Sequence, residues 1–376
     1  MAISISLSDA IDEYVVHRKA NNKSYNTIRA NTRSLKLLLS ELGNIQVRHF
    51  NATHGDRFRQ FLTGKGYKPN SVNSHIDSIN GFVKWAHARG YLPKGNDPMA
   101  LVSRADVQRA HRNIVLPEDF PALLDAAHSF VKDTQTGKMV EVGSAHDRIV
   151  TALGLFLFLR QSEIMTLRYG YVDLDRGEIL VQIHKDPTKP LDVMPIGEEL
   201  DAELRRWLTW YANDTKDSHG PLQKSWYLVP RRNPHKLVRV PGSRYGVPER
   251  RQSGICMPML HNARPHENVK RTLVRFGLPI TDEGGDSLME GVHTLRRSGA
   301  RAWFEMLTEQ KAYDGALRQV AAMLHHKQTS TTEVYLQISV DKKVRNELIR
   351  GKRMFPKPVA DNVIPLRAVD DDAAEN

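Results

Sequence analysis

The chain has 376 residues, 40% of them hydrophobic, and a formal net charge of +11. That length allows two or three domains with real cores, and the longest apolar run, Ile149 to Leu159, is too short to span a bilayer. The single cysteine, Cys256, excludes an internal disulfide and a cysteine-rich zinc site, while the basic excess favours an acidic polymer, nucleic acid before a membrane surface.

The N-terminus, MAISISLSDAIDEY, has no basic region followed by an apolar core, so no signal peptide is read there. A reducing, cytoplasmic location is the expectation. Residues 7–92 read as four short helices. Ser8 is the expected cap of the first, with Ile11, Tyr14 and Val15 on its apolar side. The second covers about Thr27 to Leu42, with Leu35, Leu38 and Leu39 inward and Arg29, Arg33 and Lys36 outward. The third holds Phe58, Phe61 and Leu62. The fourth places Val72, Ile76, Ile79 and Val83 at helical spacing and stops at Gly90. An all-helical domain with a basic, DNA-binding face is predicted. An ordinary bundle with solvated lysines and arginines is the plainer alternative.

Asn96-Asp97-Pro98 breaks the pattern, and the polar stretch from Ser103 to Arg112 reads as a linker. A second domain opens at Leu116-Pro117-Glu118-Asp119, a helix start. Asp147 to Phe158 is a buried helix that runs straight into Leu159-Arg160-Gln161-Ser162-Glu163. An arginine so placed either snorkels or pairs with Glu163, or is delivered from a rigid core to a phosphate with Glu163 orienting it. Glu178 to Ile196 reads as a hairpin with Lys185 and Lys189 at its tip. Glu198 to Tyr211 is amphipathic, Arg231 to Arg251 a long basic loop, and His266 to Phe276 a helix. Gly291 to Phe304 opens another helix, on whose first turn His293 and Arg296 share a face. No HExxH or carboxylate set accompanies them, so no metal is expected. Ala322 to Tyr335, AMLHHKQTSTTEVY, starts at helical spacing and carries His325, His326 and, after a threonine-rich run, Tyr335. Asp341 to Arg350 reads as a short charged helix. Beyond it lies a tail with an apolar patch at Val363 to Leu366 and an acidic end at Asp370 to Asp372.

One domain thus gathers Arg160, a hairpin lysine, His293, Arg296, His326 and Tyr335. A phenol has a reference pKa of roughly 10 and attacks well only where cations crowd it. Two arginines can clamp phosphate oxygens and stabilise added charge. Histidines can move protons near neutrality, and a lysine can protonate a leaving alkoxide.

The segment Leu159-Arg160-Gln161-Ser162-Glu163-Ile164-Met165-Thr166-Leu167-Arg168, the run His293 to Arg296, and Leu324-His325-His326 followed by Thr331-Thr332-Glu333-Val334-Tyr335 together resemble the motifs of the tyrosine recombinases, the family of phage integrases and Xer-type recombinases. The resemblance covers nearly the whole chain. It implies a mainly α fold with a small antiparallel β-sheet. It further implies a helical, SAM-like core-binding domain over residues 1–102, a linker over 103–113, a catalytic domain over 114–356 and a flexible tail over 357–376. Tyr335 would attack a DNA phosphodiester and form a 3′-phosphotyrosyl bond, with Arg160 and Arg296 on the scissile phosphate. Lys185 would be the general acid, with Lys189 as its competitor, His293 the general base and His326 a hydrogen-bonding stabiliser. No cofactor is expected. The implied partners are double-stranded DNA core sites, a homotetramer on two duplexes, and accessory host or phage factors, in integration or excision of a phage or mobile element. Type IB topoisomerase-like relaxation and a non-catalytic architectural role are the alternatives. The chain starts at the core-binding domain, without the arm-binding domain of larger integrases, and so is expected to act on short core sites. It departs from the family at His325, where a glycine is usual, at Arg297, where a histidine is common, and in the added length of the Arg231 to Arg251 loop.

Overall fold

The structure is a computed structural model that describes residues 3–107, 112–132, 137–183, 191–232, 237–238, 247–248, 256–262, 264–279, 281, 287–288 and 290–338. The chain divides into two compact units, residues 1–109 and 110–376.

The first unit holds α1 (Leu7–Ala20), α2 (Tyr25–Leu42), α3 (Ala52–Gly64) and α4 (Pro69–Ala88). Leu7, Ile11, Tyr14, Leu35, Leu38, Phe58, Leu62, Ile76, Ile79 and Phe82 form its core. The cap of α1 is Ser6 rather than Ser8: the Ser6 hydroxyl accepts from the Asp9 N–H at 3.2 Å. Ser8 instead donates its N–H to Asn44 Oδ1 at 2.9 Å. Two serines fit the cap equally in sequence; burial of Leu7 selects the earlier one. Arg29, Arg33 and Lys36 are exposed on α2. Beyond α4 the chain is held by the side chain of Asn73, which exchanges two hydrogen bonds with the Ala105 backbone at 2.8 and 2.9 Å.

The second unit opens with a 3-10 turn at Pro117–Asp119 and α5 (Phe120–Ala127). A hairpin not foreseen from sequence follows, β1 (His128–Lys132) paired antiparallel with β2 (Met139–Gly143). Next come α6 (Ala145–Phe156) and α7 (Gln161–Thr166). The expected hairpin is present as β4 (Glu178–Gln182) and β5 (Leu191–Pro195), extended by a short β3 (Val172–Asp173) into a three-stranded antiparallel sheet of order β3-β4-β5. Then follow α8 (Glu198–His219), β6 (Pro230–Arg232), β7 (Leu237–Val238), β8 (Val247–Pro248), β9 (Cys256–His261) and α9 (Pro265–Arg275). Strand β6 pairs with β9, and β7 with β8. The last helices are α10 (Val292–Gln310), α11 (Tyr313–Met323) and α12 (Thr329–Leu336). The fold is mainly α with small antiparallel sheets.

Helix α6 is the axis of the second unit. It packs against α5, α8, α9 and α10, so it is buried from Ala145 to Leu155, polar first turn included. A smaller core of Phe158, Ala300, Phe304, Leu317, Val320, Leu324 and Leu336 joins α10, α11 and α12. Gly299 lets α10 approach the end of α6: a Cβ there would lie 1.8 Å from the Leu155 carbonyl oxygen. Among the described residues no helix is long and apolar enough to cross a membrane. The expected charged helix at Asp341 to Arg350, the tail and most of the Arg231 to Arg251 loop lie outside the described residues.

Candidate active site

The site is built where α6 ends. After Leu157, Phe158 takes a left-handed backbone (φ 53°), and the chain turns into Arg160, which stands at the cap position of α7. Glu163, only 1% exposed, then folds back on it. Its two carboxylate oxygens accept from the Arg160 side chain at 2.7 Å and from the Arg160 backbone N–H at 2.6 Å. The pairing with Glu163 that the sequence offered is present, and it fixes the guanidinium in a buried position.

Arg296 arrives from the first turns of α10 and is 2% exposed. Its Nη1 donates to the Phe158 carbonyl and lies 3.5 Å from Glu163 Oε2. Its Nη2 donates to the Leu324 carbonyl at 2.7 Å, and Arg160 Nη2 donates to that same oxygen at 3.0 Å. Burial pulls the Arg296 guanidinium down to about 10; the Tyr335 phenol and Glu163 oppose the fall and Arg160 adds to it.

The carbonyl that both arginines share is presented by the end of α11. The His326 N–H bonds the Ala321 carbonyl and the His325 N–H the Ala322 carbonyl, each at 2.9 Å. This is a Schellman termination, which needs a left-handed residue, usually glycine, just past the cap. His325 fills that place with φ 52°. The position where the family carries glycine is thus a real left-handed position, and here a histidine occupies it. The His325 Nδ1 lies 3.8 Å from Asp192 Oδ2 on β5. Burial holds the His325 imidazole below its ordinary range; Asp192 and Glu163 pull the other way.

Tyr335 lies on α12, so the threonine-rich run is helical from Thr329 onward. Its hydroxyl donates to the His293 backbone carbonyl at 3.1 Å, and its ring stands edge-on to the His326 ring, centroids 5.6 Å apart. Burial pushes the phenol up to about 12, against the pull of Arg296, Arg297 and Arg160. His326 Nδ1 is hydrogen-bonded to Thr332 Oγ1 at 3.0 Å. His293 stands on the first turn of α10, with part of the residue open to solvent and its ring packed toward the site. Burial and then Arg296 hold its imidazole below the ordinary range, so it is neutral at pH 7.

Five of the six predicted site residues, Arg160, His293, Arg296, His326 and Tyr335, therefore meet at one place. Lys185, like its competitor Lys189, lies outside the described residues; the last described pair beside it is Gln182 with Leu191. Sequence reasoning missed the carbonyls of Phe158 and Leu324, which carry no residue-type signal. It also missed Glu290, which pairs with both Arg297 and Arg112. The unusual Arg296-Arg297 doublet was the one available hint. The arrangement offers two fixed guanidiniums, a phenol between cations, and imidazoles within the same pocket, which suits an anionic, tetrahedral substrate group.

No family model matches the chain. It is 22% identical over 334 residues to tyrosine recombinase XerA of Thermococcus kodakarensis, covering 89% of this chain and 92% of the relative. It is 24% identical over 343 residues to tyrosine recombinase XerC of Xanthomonas campestris pv. campestris, covering 88% and 84%. Among solved structures, a lambda integrase dimer bound to a COC′ core site aligns with a TM-score of 0.58 at 12% identity, over 94% of this chain and 81% of that one. The Tn1549 transposon integrase in complex with transposon right end DNA aligns with a TM-score of 0.57 at 16% identity, over 92% and 98%. In sequence the chain is similar to the Xer-type tyrosine recombinases, and in fold to the integrases.

Proposed function

We propose that the protein cleaves and rejoins DNA at core sites through a 3′-phosphotyrosyl intermediate at Tyr335, in integration or excision of a phage or mobile element. The observation that carries this reading is the convergence of Arg160 and Arg296 on one carbonyl, beside the Tyr335 phenol. Two buried guanidiniums share the single carboxylate of Glu163. The cluster is therefore left with positive charge that a phosphodiester would balance.

In the step proposed, the Tyr335 oxygen forms a bond to phosphorus and the bond to the 5′-oxygen breaks. His293, neutral at pH 7, takes the phenolic proton, and the leaving 5′-oxygen gains one from Lys185. Arg160 and Arg296 hold the non-bridging oxygens, and His326 donates to one of them. A 5′-hydroxyl from the partner strand then reverses the step, so no external energy source enters. A tetramer on two duplexes follows from that exchange. A solved structure of similar fold is a lambda integrase tetramer bound to a Holliday junction, which supports the same assembly here.

The test is a pool of nicked suicide duplexes with a randomised core. Protein–DNA adducts that survive denaturant are recovered and sequenced, which also yields the core site. Adducts are expected from the unaltered chain and none from Tyr335→Phe. Adducts that persist in Tyr335→Phe would place the nucleophile elsewhere.

A further inference from the structure

We infer that Arg297 is a positioning residue for the nucleophile: it fixes Tyr335 by backbone carbonyl and ring face, and keeps one donor unpaired beside it. The inference rests on the reading of Tyr335 as the nucleophile. Successive residues on a helix point about 100° apart. Arg296 therefore faces the end of α6 while its neighbour Arg297 faces α12. Arg297 is 5% exposed. Its Nε donates to the Tyr335 carbonyl at 3.0 Å, and its guanidinium carbon lies 5.3 Å from the centre of the Tyr335 ring. Its Nη2 is bonded to Glu290, which is also 3.5 Å from Arg112. Burial alone would raise the Glu290 carboxyl, but Arg297, Arg112 and His293 together hold it below the usual carboxylate range. One carboxylate thus serves two arginines, and a positive charge is left over against the tyrosine.

The remaining donor, Arg297 Nη1, is buried and has no hydrogen-bond partner among the described residues. A buried charged donor left unmade is costly, and native structures rarely tolerate one without a use. The reaction brings acceptors to this spot, because the phosphoryl oxygens arrive on the oxygen of the very residue that Arg297 holds. The charged or titratable groups that face the phenol among the described residues come from four elements. Arg160 comes from the cap of α7, and His293, Arg296 and Arg297 from α10. Glu290 precedes α10, and His326 precedes α12. Arg297 is the member of this set that also grips the tyrosine's own backbone.

The experiment is single-turnover adduct formation on the duplex recovered from the randomised pool, at saturating and half-saturating DNA, from pH 6 to 9. Arg297→Met should slow adduct formation by about tenfold or more, the size of one lost charge-assisted hydrogen bond, at unchanged half-saturation. Its rising pH limb should move to higher pH, since a cation that favours the phenolate has gone. Arg297→Lys keeps the charge but not the fork; it should hold the limb in place and recover only part of the rate. A purely cementing role predicts instead an unmoved limb in Arg297→Met, with a loss matched by the unfolded fraction, and that result overturns the inference. If Arg297→Met does not fold, a parental rate in folded Arg297→Lys overturns it equally. Adducts in Tyr335→Phe would defeat the underlying reading of Tyr335, whatever Arg297 does.

Discussion

Leu324 offers the site its most consequential backbone atom, since the carbonyl that both arginines grip is set by a left-handed residue one position later. A side chain at such a position costs about 1 kcal/mol relative to glycine. His325 recovers part of this through its contact with Asp192. Replacing it with alanine removes the contact and keeps the strain; replacing it with glycine removes both. His325→Gly should therefore exceed His325→Ala in stability by about 1 kcal/mol in urea unfolding. Equal midpoints would show that the turn is not strained. At this scale the sequence disclosed the charged and aromatic members of the cluster, because arginine, histidine and tyrosine announce their chemistry. It was silent on the Phe158 and Leu324 carbonyls and on the Glu290, Arg297 and Arg112 network, whose partners are joined only by folding.

The elements that carry these residues meet through close helix packing. Gly154 of α6 lies under Leu295 of α10, and Gly299 of α10 lies against the Leu155 carbonyl and the Phe158 ring. The interface leaves no room for a methyl group at Gly299. Gly299→Ala should push α10 away from α6, cost about 1–3 kcal/mol by overpacking, and separate Arg296 from Arg160. Thermal unfolding and adduct yield should fall together; an unchanged melting midpoint would mean the helices yield without cost. Strongly periodic helices such as α4 and α6 were legible because burial and helical spacing agree in them. The β1–β2 hairpin was not: Phe130, Val131, Met139 and Val140 are all exposed, so no alternation of buried and exposed residues marks it. Helix α8 continues to His219, past the apolar face that ends at Tyr211, and its polar last turns gave no sign of continuing.

Among the described residues, five histidines are held below their ordinary range: His75, His146, His266, His293 and His325. Burial is the leading cause in each. The extreme is His146, down to about 3, packed against Trp207 with its Nε2 at the Pro230 carbonyl. The unfolded chain takes up these protons near pH 6.5, while the folded chain resists. Stability is therefore fully present above that value and is lost as the pH falls below it. His146 alone contributes a slope of up to about 1.4 kcal/mol per pH unit below 6.5. Between pH 6.5 and 5, His146→Phe should lose stability less steeply than the unaltered chain in urea titrations. Parallel slopes would count against a buried neutral imidazole there.

Gln337, two residues beyond Tyr335, closes a clamp on the start of the second unit. It accepts the Arg112 N–H at 3.0 Å and donates to the Arg112 carbonyl at 3.1 Å, across 225 residues of sequence. Contacts between such distant positions form late, because the intervening chain must already be ordered. The order of synthesis adds to this. Arg160, Glu163 and Arg296 are all made before α11, and the tyrosine comes after them. On the function proposed above, a chain still on the ribosome would carry the phosphate-binding cations before it carried the nucleophile. The proposed site is complete only when α12, the last described helix, has docked, so an unfinished copy would be unable to break a strand.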